Sequence, residues 1–275
     1  MTATLATTRP PIPNLRRLWS DAPALTTLSV LLFLALIPLY AAMALDSRLF
    51  DGESPWLKPV KFHYALGIYT GTLAFFARYM PAATRISRRW RWYSAAVIGA
   101  ITGEALWLAA AAMQNTASHF NTEITLFMAL YPLMGAFAVL LTSASLTMGI
   151  SIWRNKRTGL PPALHLSIAL GLILTFAATI PVAGYLSSAG SHFVGPSTQT
   201  LWLLGWSRDA GDLRVAHFLA THTLHAIPLA GLISTALIPT QATRAVWLAS
   251  ALYALLVAAT FVQALQGRPF LPFLG

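Results

Sequence analysis

The sequence has no cysteine and very little charge. Asp, Glu, Lys and Arg make up 9% of its 275 residues, roughly a third of their share in a water-soluble domain. Most of the chain therefore cannot face water. The lack of cysteine excludes disulfides, iron–sulfur clusters and covalently attached haem. Any bound metal has to be held by His or carboxylate side chains. Acids are scarcer than bases, 8 against 18, giving a net charge of +10 and a pI near 10.5. The bases sit in short loops between apolar runs, a pattern that orients a chain in a membrane and is not a nucleic-acid footprint.

What the sequence does have is length in its apolar runs. Hydrophobic residues make up 56% of it and the mean hydropathy is +0.63. A bilayer-spanning helix needs about 20 mostly apolar residues, and seven segments qualify: 24–45, 60–79, 93–115, 123–149, 162–187, 214–239 and 243–266. The expected fold is all-α, a polytopic transmembrane bundle of about seven helices. Residues 1–23 form an N-terminal segment, 24–266 the bundle and 267–275 a short tail. The first run is too long for the apolar part of a signal peptide, so it is read as a retained helix. Pro38, Pro132, Pro181 and Pro228 fall inside runs and are expected to kink their helices. Gly67/Gly71 and Gly99/Gly103 are small-xxx-small pairs that favour close helix packing.

Orientation follows from the loops. The N-terminal segment and every second loop hold Arg9, Arg16, Arg17, Arg78, Arg85, Arg88, Arg89, Arg91, Arg154, Lys156, Arg157 and Arg244, with Asp21 as the one acid. The other loops hold Arg48, Lys58, Lys61, Arg208, Arg214 and Arg268 against six acids, so the asymmetry is +11 against zero. The positive-inside rule then puts the N-terminus in the cytoplasm and the C-terminus outside, in a cell inner membrane. Trp56, Trp90, Trp92, Trp202 and Trp206 fall at helix ends and read as an aromatic belt.

The polar residues collect at the other end. Lys58, Lys61 and His63 open the second run, His119 follows the third, His192 lies in the fifth loop, and Asp209, Asp212, Arg214 and His217 lie at the start of the sixth. His165 belongs to the arginine-rich end, and its side chain, like that of His63, is expected to be interfacial. His222 and His225 fall about 60° and 4.5 Å apart on a helix, close enough to share a ligand. The i,i+4 pair of a zincin is absent. Glu104 lies near mid-membrane, where a lone carboxylate is costly and marks function by default. Its candidate partners are His222, His225 and Gln114. Asp212 also suits the N-cap of the sixth helix.

These motifs resemble a family of bacterial multi-span membrane proteins of uncharacterised activity. The resemblance rests on Trp206-Ser207, Gly211-Asp212-Leu213-Arg214, His217-Phe218 and His222. It extends to Pro55-Trp56-Leu57-Lys58-Pro59-Val60-Lys61-Phe62, Glu104, Ser118-His119-Phe120-Asn121, and His192 with Val194-Gly195. It implies a shared outer-face site built from Lys58, Lys61, Glu104, His119, His192, Asp212, Arg214, His217 and His222. The chain departs from the family at Ala111-Ala112-Met113-Gln114-Asn115, where the family has Gln-Ala-Ala-Arg-Gly, and at His225, commonly glutamine there.

Three functions compete. In the first, His119, His192, His217 and His222 bind a transition metal or haem b in a membrane enzyme or redox protein, with Glu104, Asp212 and Arg214 catalytic and Lys58 and Lys61 binding substrate. In the second, the chain is a proton-coupled transporter with Glu104 as the relay. The third is a ligand-sensing or structural subunit. Expected partners are the lipid bilayer and a small molecule or ion, with a homo-oligomer compatible with the pattern.

Overall fold

The computed structural model describes residues 15–201 and 204–271. Arg9, Trp202 and the last four residues of the tail lie outside the described residues. Within them the chain is all-α: nine helices and one ladder of two short strands. The helices are α1 (Leu15–Asp21), α2 (Pro23–Leu45), α3 (Leu57–Ala77), α4 (Ala82–Arg85), α5 (Arg88–Met113), α6 (Thr125–Arg154), α7 (Pro162–Ser188), α8 (Leu213–Leu237) and α9 (Ala242–Leu265). The strands β1 (Phe193–Val194) and β2 (Gly211–Asp212) pair antiparallel, Phe193 opposite Asp212.

Each apolar run forms one long helix. Five of these, α2, α5, α6, α7 and α9, are long and apolar enough to cross a membrane. The two that fall short, α3 and α8, carry Lys58, Lys61, His63 and Arg214, His217, His222, His225. Their polarity is concentrated on the side chains of interest. Helix ends differ from the apolar ends by up to five residues, because hydropathy reports the greasy stretch and not the last hydrogen bond. Thus α5 begins at Arg88, where the Ser87 hydroxyl caps it by accepting from the Trp90 amide at 3.2 Å. All four interior prolines lie within unbroken helices.

Packing follows chain order: α2 on α3, α5 on α6, α6 on α7, α7 on α8, and α8 on α9, with α7 also against α9. The largest core cluster joins Leu28, Leu66, Val97, Met148, Leu172 and Leu224, from six helices. Gly67 and Gly71 let α2 approach α3, and the Ser29 hydroxyl donates to the Gly67 carbonyl at 2.8 Å. Gly103 meets the Phe137 ring of α6, whereas Gly99 faces open space.

The bundle has two chemically distinct ends. At one, Arg85 pairs with Asp21, and Asn155 donates to the Tyr79 carbonyl at 2.8 Å. At the other, Arg48 donates to the Met113 carbonyl at 3.1 Å, and the turn after α5 meets the loop before α8. The Phe120 and His192 rings are 5.4 Å apart there. The Ser118–Asn121 turn and the Gly211–Arg214 segment thus share one end, as alternation of the helices requires.

Candidate functional site

The site is built where three elements meet: the first turn of α3, the turn after α5, and the loop that leads through β1 and β2 into α8. The turn after α5 is tightly specified. Asn115 has φ +50°, its amide donates to the Ala112 carbonyl, and the Thr116 amide donates to Ala111, each at 3.1 Å. That pair of bonds is a Schellman end, which wants Gly or Asn in the left-handed position. The Trp107 indole donates to the Ser118 carbonyl at 2.8 Å. Asn121 accepts from the Glu123 and Ile124 amides at 2.9 Å each. Between these anchors Phe120 is held at φ +57°, a conformation that costs a bulky residue about 1–3 kcal/mol.

That turn presents His119 to α3. The Lys58 ammonium donates to His119 Nδ1 at 3.2 Å, and the Ser118 hydroxyl reaches the same nitrogen at 3.0 Å. With both donors on Nδ1, the ring proton of His119 belongs on Nε2. Burial holds His119 in its neutral form, helped by Lys58 and His192, with its pKa lowered to about 3. His192 is lowered to about 4, again mainly by burial, then by Lys58 and Arg214. Both imidazoles are neutral at physiological pH.

Glu104 is 5% exposed on α5, and the Lys58 ammonium is the charge that acts on it. Its expected partners on α8 bond elsewhere, His222 to the Phe218 carbonyl and His225 to the Thr72 hydroxyl. Matching depth along two helices did not fix the hydrogen-bond partner. Tyr131 of α6 also belongs to the site. It senses the Glu104 charge, meets the His119 ring edge-on at 5.7 Å, and donates to the Ser187 carbonyl at 3.3 Å. Sequence reasoning passed over it. Its one available signal was a tyrosine beside a mid-helix proline, Tyr131-Pro132.

Asp212 and Arg214 staple the loop to α8. One Asp212 oxygen accepts from the Arg214 amide at 3.0 Å and its Nε at 2.9 Å. The other accepts from the Ser207 amide at 2.9 Å and Arg214 Nη2 at 2.6 Å. The Asp212 side chain is fully buried, and it acts as the N-cap of α8. The Arg214 guanidinium also donates to the Gly205 carbonyl at 2.5 Å and lies 4.8 Å over the Phe193 ring. Lys61 Nζ and Arg214 Nη1 both approach Gly205, 3.9 and 3.8 Å from where a Cβ would stand. A second acid, Asp209, ties down the outer loop through the Thr198 hydroxyl at 2.6 Å and amide at 2.8 Å. Those bonds hold its carboxyl well below the usual range.

The remaining histidines have local partners. His63 is buried, not interfacial, and its Nδ1 donates to the Pro59 carbonyl at 2.8 Å. His165 donates to the Ile152 carbonyl at 2.7 Å. His222 Nδ1 turns back to the Phe218 carbonyl at 2.9 Å, with the ring stacked on Phe218 at 3.9 Å. His225 bonds the Thr72 hydroxyl at 3.0 Å and lies 5.5 Å from the His222 ring. Trp206, expected in the aromatic belt, is 9% exposed and packed between Phe218 and Phe270.

The residues do not fit the expected four-histidine metal set. Among the described residues no three His, Cys, Asp or Glu side chains form a group that could hold a metal ion. At His119 the reason is local: Lys58 and Ser118 take up Nδ1 and leave the ring proton on Nε2, so neither nitrogen of that ring is open to a metal. His192 Nδ1 and His217 Nδ1 are buried without a partner. The arrangement can hold charge and protons: Lys58 interacts with the Glu104 charge and bonds His119. No protein-family model, curated protein or solved structure matches the chain.

Proposed function

We propose that the protein is a seven-span, proton-coupled carrier of the bacterial inner membrane, with Glu104 as its relay. The observation that carries this reading is the placement of Glu104 inside the bundle, 5% exposed, with a lysine from another helix acting on it. A carboxylate at that depth is costly, and a chain keeps one where protons or ions have to pass. Lys58 links it to the neutral His119 at 3.2 Å, and Phe120 brings that turn against His192 in the surface loop. Glu104, Lys58, His119 and His192 thus form a series from the bundle interior to its polar end.

Seven long helices alternate between an end rich in arginine and an end with balanced charge. This supports a cytoplasmic N-terminus and an exoplasmic polar site. Lys58, Lys61 and Arg214 bring three cations to that site, which suits an anionic cargo. The unpartnered Nδ1 atoms of His192 and His217 are groups left to bind it. Proline inside α2, α6, α7 and α8 supplies the weakened helices that carriers bend.

Infrared difference spectroscopy on proteoliposomes stepped in pH tests this directly. A carboxyl band that appears on acidification and is missing from Glu104→Gln supports the relay. An unchanged band in that variant rules Glu104 out as the proton acceptor.

A further inference from the structure

The opposite end of the bundle carries a cleft of its own. It has a volume of about 420 Å³ and lies between α4 and the last turns of α6. Two stripes of α6 line it. Leu146 and Ile150, four residues apart, form an apolar stripe. Thr147, Ser151 and Arg154, spaced by four and three, form a polar one ending in a guanidinium. Thr84 of α4 faces them from the far wall.

The cleft therefore changes character along its length. By helical rise, Leu146 is about 12 Å from Arg154 along the α6 axis. The arginine is the last residue of α6, is exposed, and belongs to none of the ion pairs among the described residues. No acid lines the cleft. The Thr147 hydroxyl is engaged, donating to Tyr93 at 3.2 Å, which leaves Ser151 and Thr84 as the hydroxyl residues that line the cleft with Arg154. A cation flanked by hydroxyls, continued by an aliphatic strip running into the bundle surface, matches an amphiphile with an anionic head and a hydrocarbon tail.

We infer that this cleft binds an anionic phospholipid. The phosphate lies against Arg154, Ser151 and Thr84, and one acyl chain runs along Leu146 and Ile150. Charge decides the class, because a guanidinium bonds a phosphate in a charge-assisted, bidentate manner. A zwitterionic headgroup would bring its own ammonium next to Arg154. The inference is independent of the Glu104 relay, which lies at another depth on other helices.

The test uses delipidated full-length protein in detergent, titrated with phosphatidylglycerol, phosphatidylcholine or sn-glycerol 3-phosphate. Bound lipid is counted by native mass spectrometry and thermal stability is followed in parallel. Phosphatidylglycerol should bind and raise the melting temperature, at roughly tenfold lower concentration than phosphatidylcholine, as expected for one charge-assisted contact. Arg154→Gln should remove that preference, and Ile150→Trp, which fills the cleft, should remove binding of both lipids. Arg157→Gln, on the adjoining loop, should change neither. Equal binding of the two lipids, a preference that survives Arg154→Gln, or equal competition by the tail-less phosphate would each overturn the assignment.

Discussion

Lys58 Nζ and His119 Nδ1 lie 3.2 Å apart, joining the start of α3 to the turn after α5 across 61 residues of chain. Neither partner is fully exposed, and the contact decides which member of the site carries the charge. The cation belongs to the lysine and the neutral ring to the histidine, because burial and the nearby ammonium both disfavour a protonated imidazole.

Stability should therefore fall in mild acid. His119 and His192 have folded pKa values of about 3 and about 4, against about 6.5 in an unfolded chain. Between those limits the unfolded chain takes up protons that the folded protein refuses, so stability is full above pH 6.5 and declines below it. Each ring contributes at most about 1.4 kcal/mol per pH unit. Asp209, held low in the folded state, adds to the loss only below about pH 4. Melting temperatures in detergent should drop between pH 7 and pH 5. His119→Gln with His192→Gln should flatten that drop, and Lys58→Met should reduce it by easing protonation of both rings. Parallel curves for all three proteins would contradict this.

Gly211 should be irreplaceable for a reason unrelated to chemistry. A Cβ there would stand 2.0 Å from the Ala264 carbonyl oxygen of α9, and backbone cannot yield as a side-chain end can. Gly211→Ala should cost about 3 kcal/mol or more, in the range of severe overpacking, seen as a large fall in melting temperature. Gly135→Ala, at a helical glycine with nothing within 4 Å, should be neutral or mildly stabilising.

Asp212 and Arg214 should behave as a coupled pair. Asp212→Ala removes the α8 cap and leaves the guanidinium without its buried counter-ion, which should cost about 3–5 kcal/mol. Asp212→Ala with Arg214→Met should cost less than the sum of the two single changes, by about 1 kcal/mol or more. A double-mutant cycle of chemical denaturation in detergent measures the coupling. Strict additivity would show that the two side chains act separately.

The helices were legible because each apolar run is long enough to form one: all seven runs are helices, and five of them are long and apolar enough to cross a membrane. The common end of the Ser118–Asn121 turn and the Gly211–Arg214 segment was legible too, since it follows from alternation along the chain. Side-chain partnerships were not. Glu104 and His222 match in depth, but His222 turns to the Phe218 carbonyl of its own helix, and the charges that interact with Glu104 are those of Lys58 and Tyr131. Helical periodicity fixes where a residue lies along an axis, whereas its neighbours depend on how helices are arranged around one another. The metal reading counted four imidazoles without the lysine and hydroxyl groups that take up His119 Nδ1. Trp206 failed for a related reason: its position at a helix end suggested a lipid boundary, but the loop folds over it between Phe218 and Phe270.

The central claim is that protons pass by way of Glu104, and proton flux into sealed proteoliposomes measures it most directly. With a pH-sensitive dye inside and a potassium diffusion potential to drive entry, wild-type protein should acidify the lumen faster than empty vesicles. Glu104→Gln should return the rate to that of empty vesicles while its melting temperature stays near wild type. Flux in a well-folded Glu104→Gln protein equal to that of wild type would contradict the account.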